Sequence, residues 1–318
     1  MNEKLDDFDI DSLYGNDLME RVVQFGKLAA KFAENRDFDI IHAHDWMTML
    51  AGMEIKARTG KPLVVHIHSL EVDRSDVFNK GWVYELEKQG MEFADMLIPV
   101  SNFTAHKIHQ YYGIDKNKII PVHNGISKVN SFKSDRQYDE KTVLFIGRLT
   151  RQKGPEYFLN IAAEVIEQEP GVRFVMAGTG DYFKSLLEQS SYQHLGNRFH
   201  LTGFLNLEKI RYLLSIADVY CMPSVSEPFG LSAVEAVQFG VPCVISKQSG
   251  VSEVLSGSLK FDSWDIKKAA DYILNLLKDP VLKNKVVNDA YENLQHISWD
   301  LSAQKVMKAY DKFNIFLN

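Results

Sequence analysis

The chain has 318 residues, 45% of them apolar and 25% charged, enough for two domains with separate cores. With 36 basic and 42 acidic residues the net charge is −6, which argues against a nucleic-acid partner bound through its phosphates. Cys221 and Cys243 each sit inside an apolar run, which excludes a disulfide framework and points to a reducing, cytoplasmic setting; no apolar run reaches the roughly 20 residues a bilayer needs, and the acidic start lacks the apolar core of a signal peptide.

Residues 1–15 read as a polar lead-in. From 17 to 34, Leu18, Val22, Phe25, Leu28, Ala29 and Phe32 recur at helical spacing and predict an amphipathic helix. Four short β-type runs, at 39–43, 62–66, 95–100 and 118–122, then alternate with longer helical stretches. That alternation predicts a parallel sheet covered by helices. Binding groups in such sheets gather beyond the C-terminal ends of the strands, where His44, Asp45, His68, Ser101 and Asn124 stand. His42 and His44 share one face of their strand, as do His66 and His68. Imidazoles with the Asp45 carboxylate are donors that a zinc-class ion accepts. No further Cys/His/Asp cluster completes such a site, so these histidines read as hydrogen-bonded residues at strand ends, and no metal is expected.

Residues 130–141 are polar and aperiodic, a linker. A strand at 142–146 runs into the loop GRLTRQKG (147–154), where Gly147 permits close backbone approach. Arg148 and Lys153 on this loop can neutralise a diphosphate and the charge that grows on it as a sugar leaves. Gly178 and Gly180 follow the next strand, at 173–177. Phe183 stands where a dinucleotide fingerprint needs its third glycine, and no ATPase phosphate loop occurs. The run 199–204 is strand and turn, and Asn206 caps a helix over 207–217. Next, 218–223 reads as a buried strand leading to SEPFGLSAVEAVQFG (226–240). Pro228 and Gly230 break regular structure before a helix whose first turn offers unpaired N–H groups and the positive end of its dipole, a fitting seat for a diphosphate. Glu235 lies on the helix face of Leu231 and can accept hydrogen bonds from ribose hydroxyls. A strand at 242–245, a helix over 262–277 and a closing helix over 298–316 complete the chain.

Several of these segments form an ordered set: HAHDW (42–46), VVHIH (64–68), PVSNFT (99–104), HNGI (123–126), GRLTRQKG as G-R-L-x-x-x-K-G, and Glu227 with Glu235 in E-x7-E spacing. In this the chain resembles glycosyltransferase family four, and within it the glycogen and starch synthase-like members. The resemblance implies an α/β fold of two Rossmann-like domains facing a cleft, the GT-B fold. The acceptor-side domain would be 1–129, the linker 130–141 and the nucleotide-sugar domain 142–297, with 298–318 crossing back. It implies a retaining enzyme that moves a hexosyl group, glucosyl by this likeness, from a nucleoside diphosphate sugar to a glycan or small hydroxyl acceptor, without a cofactor or protein-bound metal. Arg148 and Lys153 would hold the diphosphate, and Glu227 and His68 the transferred sugar. Gly147, Thr202, Gly203, Phe204, Phe229, Gly230, Leu231 and Glu235 would line the donor site, and His44, Asp45, Ser101 and Asn124 the cleft. Lys153→Ala should then lose most transfer activity yet leave the fold intact, its side chain being on a surface loop.

Two departures stand out. Ser249 replaces one glycine of a common Gly-Gly pair before Glu253. More importantly, no strand with a Gly-Gly loop precedes His42, since only Gly15 and Gly26 occur there. The first domain is therefore expected to be incomplete, either truncated or with another segment in place of that loop. Competing readings are a non-catalytic nucleotide-sugar-binding or partner protein, a nucleotide-sugar epimerase or hydrolase, and a metal-dependent hydrolase acting through His42, His44, His66 and His68.

Overall fold

The computed structural model describes residues 18–75, 80–129, 131–134, 139–193 and 195–313. The lead-in at 1–15, part of the linker and the last residues of the closing segment lie outside them. Helix α1 (Leu18–Ala33) buries Val22, Gly26, Ala30 and Ala33. This face differs from the expected stripe: Phe25, Leu28 and Phe32 are 41%, 40% and 54% exposed. The reason is size. A Cβ on Gly26 would come within 3.4 Å of Leu50 and 3.5 Å of the Ala51 nitrogen on helix α2 (Asp45–Thr59), so small residues set how closely the helices approach.

Strands β1 (Ile41–His44), β2 (Leu63–Ile67) and β3 (Met96–Pro99) form a parallel sheet in that order. The fourth expected strand is not a full one. Residues 118–122 follow a 3-10 turn and run beside β3, donating Ile120 N–H to Leu97 O and Val122 N–H to Pro99 O, both at 2.9 Å. Pro121 between them has no N–H to extend the ladder. Alternation along β2 sends Leu63, Val65 and Ile67 into a core under α2 and helix α4 (Trp82–Phe93). Val64 faces the other way and packs with Met96, Ile98, Val122 and Ala309 of the closing helix α12 (Trp299–Tyr310). A short helix α3 (Glu71–Arg74) follows β2, and α5 (Asn102–Tyr112) follows β3.

The second sheet has six parallel strands: β4 (Thr142–Ile146), β5 (Arg173–Ala177), β6 (Phe199–Gly203), β7 (Val219–Met222), β8 (Cys243–Ser246) and β9 (Leu259–Phe261). Their order is β6-β5-β4-β7-β8-β9. The three-residue edge strand β9 was too short to read in the sequence. Helices α6 (Pro155–Gln168), α7 (Phe183–Tyr192), α8 (Leu207–Ile216), α9 (Leu231–Gln238) and α10 (Ile266–Lys278) cover this sheet, and α11 (Pro280–Asn293) adds Val286 and Ala290 to its cores. Strand order reverses direction between β4 and β7. A crevice at the C-terminal ends of these two strands is where an open α/β sheet takes a ligand.

Candidate active site

The loops leaving β4 and β7 meet at that reversal. Gly147 N–H donates to Ala177 O at 3.0 Å and Leu149 N–H to Thr179 O at 2.8 Å, so the β4 loop lies on the β5 loop. Gly178 makes this contact feasible: its φ is +148°, and a Cβ there would stand 1.8 Å from Gly147 O. The second glycine pair thus serves loop packing, which accounts for a G-x-G without its third member. Gly147 itself has only ordinary contacts where a Cβ would go, the nearest at 3.6 Å. Arg148 stands exposed on the crest, its guanidinium without a partner among the described residues.

Lys153 is not the free surface lysine expected. It ends a 3-10 turn, Arg151–Lys153, and its Nζ lies 2.5 Å from Glu227 Oε2. The Lys153 side chain is 24% exposed and that of Glu227 only 7%. The two loops are also joined through backbone. Val225 N–H donates to Gln152 O at 2.9 Å, and a Cβ on Gly154, φ +65°, would be 2.2 Å from Pro223 O. Glu227 is held at both peptide groups, donating to Gln248 O and accepting from Gly250 N–H, each at 2.9 Å. Ser224 Oγ approaches the same Oε2 at 3.4 Å.

Helix α9 begins at Gly230, φ +108°, with no side chain capping its first turn. Leu231 is partly exposed there, while Glu235 is half-buried one turn further. Its carboxylate has no hydrogen bond among the described residues. Burial raises its pKa, and Arg211 opposes this only partly. The Phe229 side chain, assigned to the donor site, is instead 3% exposed in the core with Val251 and Met222, because the loop must anchor there. Phe204 is 80% exposed, and Thr202 is likewise at the surface, its hydroxyl on Gly203 O.

On the facing domain, Asp45 has a left-handed φ of +56°, a strained setting for a non-glycine residue. Its Oδ1 accepts the N–H groups of His68 at 2.7 Å and Ser69 at 3.3 Å, so it positions the His68 backbone. His44 Nδ1 lies 3.0 Å from His68 Nε2. Burial first, then the neighbouring imidazoles, lower the pKa of His66 to about 3 and of His42 to about 4, so both are neutral near pH 7. Ser101, expected to line the cleft, is fully buried: its Oγ accepts Thr104 N–H at 3.0 Å and donates to Pro228 O at 2.6 Å. Asn124 is half-exposed beside Gly125, where a Cβ would meet the Trp299 nitrogen at 2.1 Å.

Several groups join the domains in a way the motifs containing them did not signal. Glu253 accepts from Asn102 N–H at 3.0 Å, Asn102 Nδ2 at 2.9 Å and Phe103 N–H at 2.6 Å, and meets His123 Nε2 at 2.7 Å. Burial opposes its ionisation, but these hydrogen bonds outweigh it and hold the carboxyl below the usual glutamate range. Ser226 Oγ donates to buried Asp73 Oδ1 at 2.5 Å, and Lys107 Nζ reaches both, at 2.5 Å and 2.7 Å. Beside them a cavity of about 340 Å³ opens between the domains, lined by Asp73, Arg74, His106, Lys107, Arg151 and Gln152. It adjoins Glu227 through Ser226 but does not include Arg148, Lys153 or Glu235.

The geometry agrees with the comparisons. Residues 7–128 match the family described as Glycosyltransferase Family 4 and residues 127–293 that described as Glycosyl transferases group 1. An uncharacterised glycosyltransferase of Methanocaldococcus jannaschii is 32% identical over 301 residues, covering 86% of this chain and 75% of that protein. A glycogen synthase of Mycobacterium tuberculosis is 26% identical over 320 residues, 93% of this chain and 76% of its own. Among solved structures, Anabaena HepE in complex with UDP and glucose superposes with a TM-score of 0.76 at 20% identity, covering 94% of this chain and 83% of that one. With two parallel-sheet domains joined across a cleft and both family regions matched in order, the chain belongs to the GT-B glycosyltransferases of family four.

Proposed function

We propose that the protein is a retaining hexosyltransferase, taking a glucosyl group from a nucleoside diphosphate sugar to a hydroxyl of a glycan or small acceptor. The observation that carries this reading is the pairing of Lys153 with Glu227 beside the uncapped start of α9, at the reversal between β4 and β7. An ammonium has three donors. One serves Glu227, and the others are free for a diphosphate seated on the α9 N–H groups. Arg148 adds a second cation as charge develops on the departing diphosphate. Glu227 Oε2 is engaged by Lys153, which leaves Oε1 for hydroxyls of the transferred sugar. His68 meets that sugar from the opposite domain. Glu235, half-buried and without a hydrogen bond among the described residues, takes the ribose hydroxyls.

Leaving-group stabilisation and attack occur on one face of the sugar, so no covalent intermediate on Glu227 is invoked and no protein-bound metal is needed. The acceptor enters beside the interdomain cavity next to Ser226. A uridine donor is supported by HepE, solved with UDP and glucose. The two buried thiols favour the cytoplasm, and among the described residues no helix is long and apolar enough to cross a membrane. The test is a thermal-shift screen of UDP-, ADP- and GDP-glucose, followed by NMR of the product anomer. An inverted product, or no stabilisation by any sugar nucleotide, defeats the proposal.

A further inference from the structure

His42, His44, His66 and His68 all project from the sheet face that α12 covers. Their rings stack in two columns, His42 on His44 with centroids 4.7 Å apart and His66 on His68 at 4.5 Å. Across the strands His42 Nε2 lies 3.2 Å from His66 Nδ1. That spacing is close to the roughly 3.3 Å that separates two nitrogens bound tetrahedrally to zinc at about 2.0–2.1 Å. One ring nitrogen from each of His42, His44 and His66 lies within 4.8 Å of the other two. His44 is exposed, so its ring has room to turn and close the remaining gap.

The hydrogen bonding of this ladder is incomplete. A neutral imidazole has one N–H and one lone pair. His42 spends Nδ1 on the Tyr310 hydroxyl of α12 and Nε2 on His66. Among the described residues His66 Nε2 is buried with no partner, so that ring keeps an unspent nitrogen. Metal-binding histidines are oriented by a hydrogen bond at their other nitrogen, and Tyr310 stands where that bond is needed for His42. Asp45 Oδ1 is engaged by the backbone N–H groups of His68 and Ser69.

We propose that His42, His44 and His66 form a site for a divalent transition-metal ion of the zinc class, with His42 held in place by Tyr310 and water completing the coordination. An all-imidazole donor set without thiolate suits borderline ions such as Zn²⁺ and Co²⁺ and is poor for Mg²⁺ or Ca²⁺. The site is separate from the diphosphate seat, and His44 links it to His68 at 3.0 Å.

The test uses the full chain after treatment with a chelator, titrated with CoCl2 and followed by visible absorption, then with ZnCl2 by calorimetry. One equivalent should bind saturably and produce the intense visible bands of low-coordinate Co²⁺, while MgCl2 gives no heat. His42→Gln, His44→Gln and His66→Asn should each weaken binding by roughly 10-fold or more, and Tyr310→Phe by about 10-fold. His296→Ala, on an exposed turn elsewhere, should leave binding unchanged. Because His44 is exposed, its variant gives a folded test even if the His66 variant does not fold. No saturable Co²⁺ signal, or equal affinity in the His42 and His44 variants with unchanged circular dichroism, overturns the proposal.

Discussion

Replacing Lys153 with methionine keeps much of the side-chain volume and removes the charge. Its partner, Glu227, cannot retreat, because both of its peptide groups are fixed to Gln248 and Gly250. Among the described residues the carboxylate would be left 7% exposed with only Ser224 Oγ at 3.4 Å. Breaking a fully buried ion pair from one side costs roughly 3–5 kcal/mol. Lys153 is 24% exposed, so water screens part of the pair, and about 2–3 kcal/mol is expected. At about 2–4 °C per kcal/mol, the second domain should melt roughly 4–12 °C lower. Adding Glu227→Gln to this variant removes the stranded charge and should recover at least about 1 kcal/mol relative to additivity. The four proteins of this cycle can be compared by urea unfolding, with sugar transfer assayed alongside. Strict additivity of the two single changes would refute a functional ion pair, as would wild-type transfer by the methionine variant.

Glu235→Ala should weaken nucleotide binding by about 1–3 kcal/mol in calorimetry, and unchanged affinity would remove Glu235 from the site. Only the ionised carboxylate accepts both ribose hydroxyls. Wild-type affinity should therefore rise with pH through the raised Glu235 pKa, and Glu235→Gln should lose that rise. For Glu253 the folded pKa is depressed, so its stabilisation is present above the unfolded value of 4.5 and is lost as pH falls through the folded one. Unfolding measured from pH 3 to 7 should thus show a shallower acid slope in Glu253→Gln, and parallel curves would exclude the clamp. Gly178→Ala should cost more than about 2 kcal/mol in thermal melts, because its Cβ would strike Gly147 O, whereas Gly171→Ala should be nearly neutral.

The second domain was largely legible because its strands are continuous apolar runs, each ending in a loop with its own chemistry. Arg148, Lys153, Glu227 and Glu235, all named from the motifs, fall around the β4–β7 reversal. What the sequence hid was partnership. Ser226 meets Asp73, 153 positions away, and Lys107, 119 positions away, and no periodicity records such a pairing. Ser101 and Phe229 looked like ligand groups because they sit at strand ends and in the motif loop, yet both are consumed in holding that loop. The misread face of α1 has a simpler cause. Hydrophobic spacing finds large side chains, and here packing is governed by Gly26, Ala30 and Ala33.

The bonds from Ser101 to Pro228, from Asp73 to Ser226 and from Asn102 to Glu253 fasten the first domain to both shoulders of the Glu227 loop. The halves of the molecule therefore cannot open like a free hinge along their whole seam. Any swing that admits or expels substrate must turn about this fastening, and the Arg148 crest, tied to Glu227 through Lys153 and the Gln152 backbone, moves with it as one body.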